Sequence, residues 1–396
     1  MERKPLRSRP IYMDHHATTP LHSEVLAAML PYLQDDFGNA SSVTHVYGKN
    51  AAEATESARA CVAQLVNAAH DDEIIFTSGA TESDNLAIKG IAYSHLEKKG
   101  HIITSAIEHK AVLESCRRLE REGFTVTYLP VDRYGVVDLD TIKRAITGET
   151  ILISIQHANG EIGTIQPLDE IGRLAADAGI VFHTDAVQAI GRLAIDVQEL
   201  KIDLLSISGH KMYGPKGIGA LYVRNNVRLG PMFDGGGHEK GYRPGTLNVP
   251  GIVGLGKACE IARRDLQQEA NRLSMLRDRF MAGVLGRVDL ARFNGHPTTR
   301  LINNVSFSFE YVHGDALLSS IPEIAMSTGS ACSSQSAEPS HVLLALGLPR
   351  DLAMCTIRVG LGRCNTEDDV DHAIDQIASN VGMLRSLSPL YEAEAM

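Results

Sequence analysis

The sequence predicts an α/β protein with a mostly parallel sheet flanked by helices, followed by a smaller α/β domain. Three observations predict it. From Ile74 to Val223, apolar runs of strand length alternate with stretches whose apolar residues recur at helical spacing. The joining segments are short, as expected of strand–helix–strand units feeding a parallel sheet. After Gly235-Gly-Gly-His-Glu-Lys-Gly241 the rhythm changes to long helices with few strands. At 396 residues the chain buries a large core and has room for two domains. We place the large one at 15–262 and the small one at 263–396, joined by the N-terminal segment 1–14.

In order, Ile11-Tyr-Met13 is strand-like and leads into the polar turn Asp14-His-His-Ala-Thr-Thr-Pro20. Ser23 to Tyr32 reads as an amphipathic helix, Phe37 to Ser42 as a loop of turn formers, and Val46 to Ala69 as a long helix. Strands follow at Ile74–Thr77, His101–Ser105, Thr125–Val131, Thr150–Ile155 and Ile180–Asp185. Helices at Thr81–Lys98, Lys110–Glu122, Leu139–Ile146 and Leu168–Ala178 lie between them. Two further strands, Ile202–Ile207 and Ile218–Val223, bracket a glycine-rich turn. Pro250 to Gly286 reads as one or two helices joining the domains. The small domain then offers strands at Leu301–Phe309 and Thr356–Gly360, and helices at Glu338–Leu346 and Thr366–Leu387. Thr366 with Asp369 three residues on makes an N-terminal cap.

Composition narrows the partners. A net charge of −10 argues against nucleic acid or an anionic membrane as the main partner. No apolar run approaches the ~18 residues of a membrane span. The basic start, Met1 to Pro10, has no apolar core after it, so it is no secretory signal. Six scattered cysteines without Cys-x-x-Cys spacing suggest neither a zinc site nor a disulfide framework, and a reducing cytoplasm is the default.

The chemistry centres on Ser208-Gly-His-Lys211-Met-Tyr-Gly-Pro-Lys216-Gly. A lysine at the carboxyl end of a central strand sits where open α/β sheets place ligands. It is either a basic surface turn or the amine that holds pyridoxal phosphate (PLP) as a Schiff base. PLP chemistry also needs an anion near the pyridine nitrogen and a phosphate cup. Asp185, ending a strand two elements earlier, supplies the first; otherwise it caps a helix. Ser78-Gly-Ala-Thr-Glu-Ser83 opens a helix after a strand, which suits an anion or simply caps the helix. His109 opens another helix, where it either stacks on a flat cofactor and moves protons or is structural. His15, His16 and His183 read as structural. Ser327-Thr-Gly-Ser-Ala-Cys332-Ser-Ser has small residues on both sides of a thiol, which predicts a mobile, exposed and reactive cysteine. Arg358 either clamps a substrate carboxylate or makes a structural ion pair.

Taken together, Ala17-Thr-Thr-Pro20, Phe37-Gly-Asn39, Thr77-Ser-Gly-Ala-Thr-Glu-Ser83, Glu108-His109-Lys110, Asp185-Ala-Val-Gln188, Ser208-Gly-His-Lys211, Arg243-Pro-Gly-Thr246, Gly329-Ser-Ala-Cys332 and Ile357-Arg358 make a recognisable set. The chain resembles the cysteine desulfurases, in the NifS/IscS branch of the class-V aminotransferases. That resemblance implies the fold of the fold-type I PLP-dependent transferases and a homodimer. It implies that Lys211 holds PLP, Asp185 pairs with the pyridine nitrogen, Gln188 with the phenolic oxygen, and His109 covers the ring. Ala80, Thr81, Ser208 and His210 would bind the phosphate, with Thr246 reaching in from the other subunit. Arg358 and Asn39 would hold the carboxylate of L-cysteine. Lys211 would move the α-proton, with His109 as a proton carrier, and the Cys332 thiolate would take the sulfur and keep it as a persulfide while alanine leaves.

The acceptors implied are an iron–sulfur scaffold or a tRNA-thiolation protein. No metal is intrinsic; Cys332 would share at most a transient iron–sulfur cluster with a scaffold. One position departs from the family. Its usual Asn-Asn-Glu is Asn159-Gly160-Glu161 here, which predicts weaker cofactor tuning by ~1 kcal/mol, the worth of a neutral hydrogen bond. A class-V aminotransferase or a selenocysteine lyase would keep Lys211 and Asp185 without needing Cys332. A non-catalytic sulfur-carrier scaffold would keep only the fold.

Overall fold

The computed structural model describes residues 9–97, 99–328, 338–389 and 391. The first half runs β1 (Ile11–Tyr12), α1 (Ser23–Gln34), α2 (Val46–Val66), β2 (Ile74–Thr77), α3 (Ala80–Ser94), β3 (His101–Ser105), α4 (Lys110–Arg121), β4 (Thr125–Leu129), α5 (Leu139–Ala145), β5 (Thr150–Ser154), α6 (Leu168–Ala178) and β6 (Val181–Asp185). The second runs β7 (Leu204–Ser208), β8 (Gly219–Val223), α7 (Val249–Leu285), β9 (Ala291–Phe293), β10 (Asn304–Phe309), α8 (Gly314–Ser320), β11 (Ile324–Ala325), α9 (His341–Ala345), α10 (Arg350–Met354), β12 (Thr356–Gly360) and α11 (Glu367–Ser386).

Seven strands form the central sheet in the order β2-β8-β7-β6-β5-β3-β4. Only β8 runs against its neighbours, and the pairs β7·β6, β6·β5, β5·β3 and β3·β4 are parallel. The reversal follows from chain length. Residues 209–218 are all that separate β7 from β8, too few for a parallel crossover. The segment carrying Lys211 is therefore a tight return at the carboxyl end of β7.

Both faces of the sheet are covered, and strand alternation shows it. Ile74, Phe76, Ile103, Ile153, Leu205, Ile207 and Tyr222 pack with α2, α6 and the first half of α7. Their neighbours Ile75, Ile102, Leu152, Leu204 and Leu221 pack with α3 and α4 on the other side. A separate apolar cluster joins Ile11 and Met13 to the second half of α7, β10, β12 and α11.

The stretch read as one or two helices is a single helix of 37 residues, about 55 Å long at 1.5 Å per residue. Asn248 caps it, its side chain accepting from the Gly251 amide, and Pro250 stands in the first turn, where a missing N–H costs nothing. Thr366 and Asp369 form the reciprocal cap expected for α11. β9, α8, β11 and α10 have no counterpart in the sequence pattern. Each is shorter than the window in which periodicity becomes visible.

Candidate active site

Parallel strands put their carboxyl ends on one edge of the sheet. β6 and β7 are neighbours, with Asp185 level with Ser206. Asp185 thus ends β6 beside the strand that delivers Ser208 and Lys211. Lys211 closes the 3-10 turn Gly209–Lys211 and is half-buried. Its Nζ donates to the carbonyl of Ala17 at 2.8 Å and, closer still, to that of His16. The Asp14–Pro20 turn therefore lies over the lysine.

Asp185 is buried, and one of its carboxylate oxygens accepts from the Val187 amide at 2.9 Å. Burial raises its proton affinity, while the charges of His109 and Lys211 and the Val187 hydrogen bond pull it back. A carboxylate oxygen of Asp84, one of Asp185 and a ring nitrogen of His109 all lie within 4.8 Å of one another. His109 caps α4, its Nδ1 accepting from the Ala111 amide at 3.2 Å, and it is exposed toward solvent.

The start of α3 lies on the same edge. Gly79 has φ +148°, a conformation that residues with a side chain rarely adopt, and no side chain caps the helix behind it. Ala80 is half-buried and Thr81 exposed, and the first-turn amides of a helix point out of its N-terminal end, as an anion site needs. A Cβ on Gly79 would stand 3.8 Å from Ser208 Oγ, which places that hydroxyl in the same cup. His210 is half-buried, with Nδ1 3.1 Å from Thr18 Oγ1. Burial, with Lys211 and Lys216 nearby, pushes it down to about 4, so at neutral pH it is an uncharged hydrogen-bonding partner. Thr246 is exposed, on a loop that Arg243 ties to α3 through Glu82 at 2.9 Å.

Across the edge, Arg358 lies in β12 with its side chain 8% exposed. One guanidinium nitrogen donates to Asp14 Oδ1 and to Ser327 Oγ, both at 2.9 Å; the other reaches the Gly160 carbonyl at 3.3 Å. Its Nε is buried without a partner among the described residues. Asn39 is exposed, and its side-chain oxygen accepts from the Ser41 amide. Among the described residues no hydrogen bond joins it to Arg358. Cys332 lies outside the described residues. The chain on either side of it is anchored at this edge: Ser327 pairs with Arg358, and His341 Nε2 sits 3.0 Å from the Glu108 carbonyl.

Several residues of the site escaped the sequence reading. Asp14 and His16 belong to the polar turn Asp14–Pro20, where the sequence pattern gives Asp14 no role and His16 only a structural one. Arg192 is buried and donates to the carbonyls of Gln188 and Lys211 at 3.1 and 3.0 Å, binding the two segments together. Glu108 is fully buried under the edge, and burial pushes it up to about 8 against the Ser105 and Gln156 hydrogen bonds. Asp84 is buried, with His183 Nε2 3.7 Å from one carboxylate oxygen. The one signal available was polar residues inside apolar stretches.

The residues present fit PLP. A buried carboxyl with a single hydrogen bond suits a protonated pyridine nitrogen. An uncapped helix start beside a serine and a neutral histidine suits a phosphate. An amine between them suits the aldehyde.

Comparison with known proteins agrees with this reading. Residues 11–373 match the Aminotransferase class-V family. The chain is 53% identical to "Cysteine desulfurase IscS" of Anaeromyxobacter dehalogenans (strain 2CP-C) over 385 residues, 97% of this chain and 95% of that one. Among solved structures it is similar to a "NIFS-LIKE PROTEIN", with TM-score 0.88 and 37% identity over 94% of this chain and all of the other (100%). It is also similar to "SspA in complex with cysteine", with TM-score 0.79 and 42% identity over 89% of this chain and 98% of that one.

Proposed function

The chain belongs to the class-V aminotransferase family, in its NifS/IscS cysteine desulfurase branch, and from that premise we propose how its residues divide the work. It is a PLP-dependent enzyme that removes sulfur from L-cysteine. The observation that carries the division of labour is the shared edge of β6 and β7, with Asp185 ending one strand and Lys211 following the other.

Lys211 would hold the cofactor's aldehyde carbon through its ε-nitrogen, and Asp185 would hold the pyridine nitrogen in its protonated form. The amides of Ala80 and Thr81, with Ser208 and His210, would take the phosphate. Gln188 would face the phenolic oxygen and His109 the ring. Bound PLP supplies an electron sink, which lets the α-proton leave and loosens the bond from Cβ to sulfur.

The protein's own groups do the rest. Lys211, once displaced by substrate, is the base placed to move the α-proton. His109, open to solvent, is placed to pass protons. Arg358, with Asn39, would take the substrate carboxylate, and its buried Nε is a donor in want of an acceptor. The Cys332 thiolate would attack the substrate's sulfur. The carbon–sulfur bond breaks, a sulfur–sulfur bond forms, and Cβ takes a proton to become the methyl group of alanine. From Ser327 beside Arg358, the five residues to Cys332 span at most about 18 Å of extended chain.

Cys332→Ser is expected to keep the PLP absorbance and lose sulfide release, whereas Lys211→Ala loses the absorbance itself. Normal alanine production in the serine variant would refute the assignment of Cys332.

Assembly and placement follow from other features. Leu30, Leu33, Phe37, Val43 and Val46, around α1 and the start of α2, are exposed apolar residues suited to burial against a second copy. That copy would bring Thr246 to the phosphate site, for which its exposure leaves it available. The boundary between the domains falls within α7, where Ala262 still packs with the large sheet and Leu273 already with the small one. Free cysteines at 61, 116, 259, 355 and 364 suit a reducing cytoplasm. An iron–sulfur scaffold or a tRNA-thiolation protein is the proposed acceptor of the persulfide sulfur.

A further inference from the structure

Gln188 and the N-terminal turn form a clasp over Lys211. Gln188 Oε1 lies 2.9 Å from His16 Nδ1, and Gln188 Nε2 donates to the His16 carbonyl at 3.2 Å. Each contact fixes the other. A carbonyl only accepts, so the amide nitrogen faces it; the amide oxygen then faces the ring, and Nδ1 carries the proton. The ring is fully buried, and burial, with the charges of Arg192, Arg358 and Lys211, keeps it neutral. The same His16 carbonyl accepts from Lys211 Nζ, next to the Ala17 carbonyl.

Position 160 explains why the clasp closes. A Cβ there would stand 2.7 Å from Gln188 Nε2 and 2.8 Å from its Cδ and Cγ. Those distances are too short for any real contact, so a side chain at 160 and Gln188 in this pose exclude each other. The departure from the family's asparagine is therefore coupled to where Gln188 points.

We propose that His16 is a positioning residue for Lys211: through Gln188 it fixes the carbonyl that parks the amine, in space that Gly160 leaves open. The proposal rests on Lys211 being the cofactor lysine. An ammonium held by these carbonyls must give up a proton and its hydrogen bonds to them before its nitrogen can attack an aldehyde. Acceptors aimed at the charged form favour that form. The clasp thus sets the pH at which the amine becomes a nucleophile. Lys211 is also faced by Asp185 and His210, and His16 by Arg192 and Arg358; none of these is altered in the variants below.

The test mixes apoprotein with PLP and follows the rate of imine absorbance over roughly pH 7–12, a span that brackets the ordinary lysine range near 10.4. His16→Leu removes the ring donor, His16→Asn keeps an N–H near the place of Nδ1, and Gly160→Ala displaces Gln188. The leucine and alanine variants are expected to move the rate midpoint down by about one pH unit, about tenfold faster at neutral pH, and His16→Asn to stay within about twofold of the native protein. Urea melts establish that each variant is folded. An unmoved midpoint in folded His16→Leu, or in Gly160→Ala should the leucine variant not fold, overturns the proposal. A shift in His16→Asn as large as in His16→Leu overturns it too. An imine band that survives Lys211→Ala overturns instead the assignment of the lysine, and the clasp's role with it.

Discussion

Asp84 shows most directly what burial does to one carboxyl. It is fully enclosed on α3, with the buried His183 Nε2 3.7 Å from one of its oxygens. Burial raises its proton affinity well above the ordinary range and the nearby Asp185 raises it further, while Ser206 pulls the other way. Burial pushes His183 down to about 3. Both shifts favour the uncharged forms, a carboxylic acid beside a neutral imidazole. The folded protein keeps the Asp84 proton at pH values where the unfolded chain has lost it, so stability falls as pH rises above the usual carboxylate range near 4. Asp84→Asn does not titrate. Its stability relative to the native apoprotein is expected to grow with pH, by up to about 1.4 kcal/mol per pH unit, the limit for one proton. Urea melts at several pH values measure this, and a difference independent of pH would mean that Asp84 is ionised in the fold. At this scale the placement of Lys211, Asp185 and His109 was legible because each sits next to a strand end or a helix start. Asp84 and His16 were not, since only packing shows that a polar side chain has been shut in.

The start of α3 is where backbone rather than side chain makes the site. Gly79 sits at φ +148° so that β2 can turn directly into the helix and present its first amides to an anion. The nearest atom to an added Cβ is Ser208 Oγ at 3.8 Å, an ordinary contact, so the cost of Gly79→Ala is conformational rather than steric. That substitution is expected to destabilise the apoprotein by about 1–3 kcal/mol and to weaken PLP retention, read by urea melts and by dialysis of the loaded protein. Melts that match the native protein would show that the backbone is not strained there. α7 makes a contrasting case. Its length was ambiguous in sequence because Gly251, Gly254 and Gly256 weaken the helical pattern. In the fold, Gly254 and Gly256 lie where Met29, Pro215 and Ala58 approach too closely for a side chain, so the glycines serve packing and the helix runs on.

At the scale of the whole molecule, the exposed apolar face is the feature a single chain leaves unexplained. Phe37 is 70% exposed, Val43 72% and Val46 61%, on a protein whose other apolar residues largely fill its cores. A second copy covering that face would also bring a second Thr246 to the phosphate cup. Phe37→Glu with Val46→Glu is expected to give particles of one chain, 42.9 kDa, by light scattering, and to lower PLP affinity together with assembly. A native protein that is itself of one-chain mass at micromolar concentration would sink the dimer.

The order of strands and helices and the parallel sheet were present in the linear pattern, and so was a lysine placed just past the end of a central strand. Periodicity and the residues at strand ends are local properties, and neighbours along the chain suffice to express them. Contacts between distant segments were beyond that pattern: Asp14 on Arg358, Gln188 on His16 in the space over Gly160, Asp84 beside Asp185. Each depends on which side chain reaches a shared buried volume first, and such a volume exists only once the sheet has closed around it.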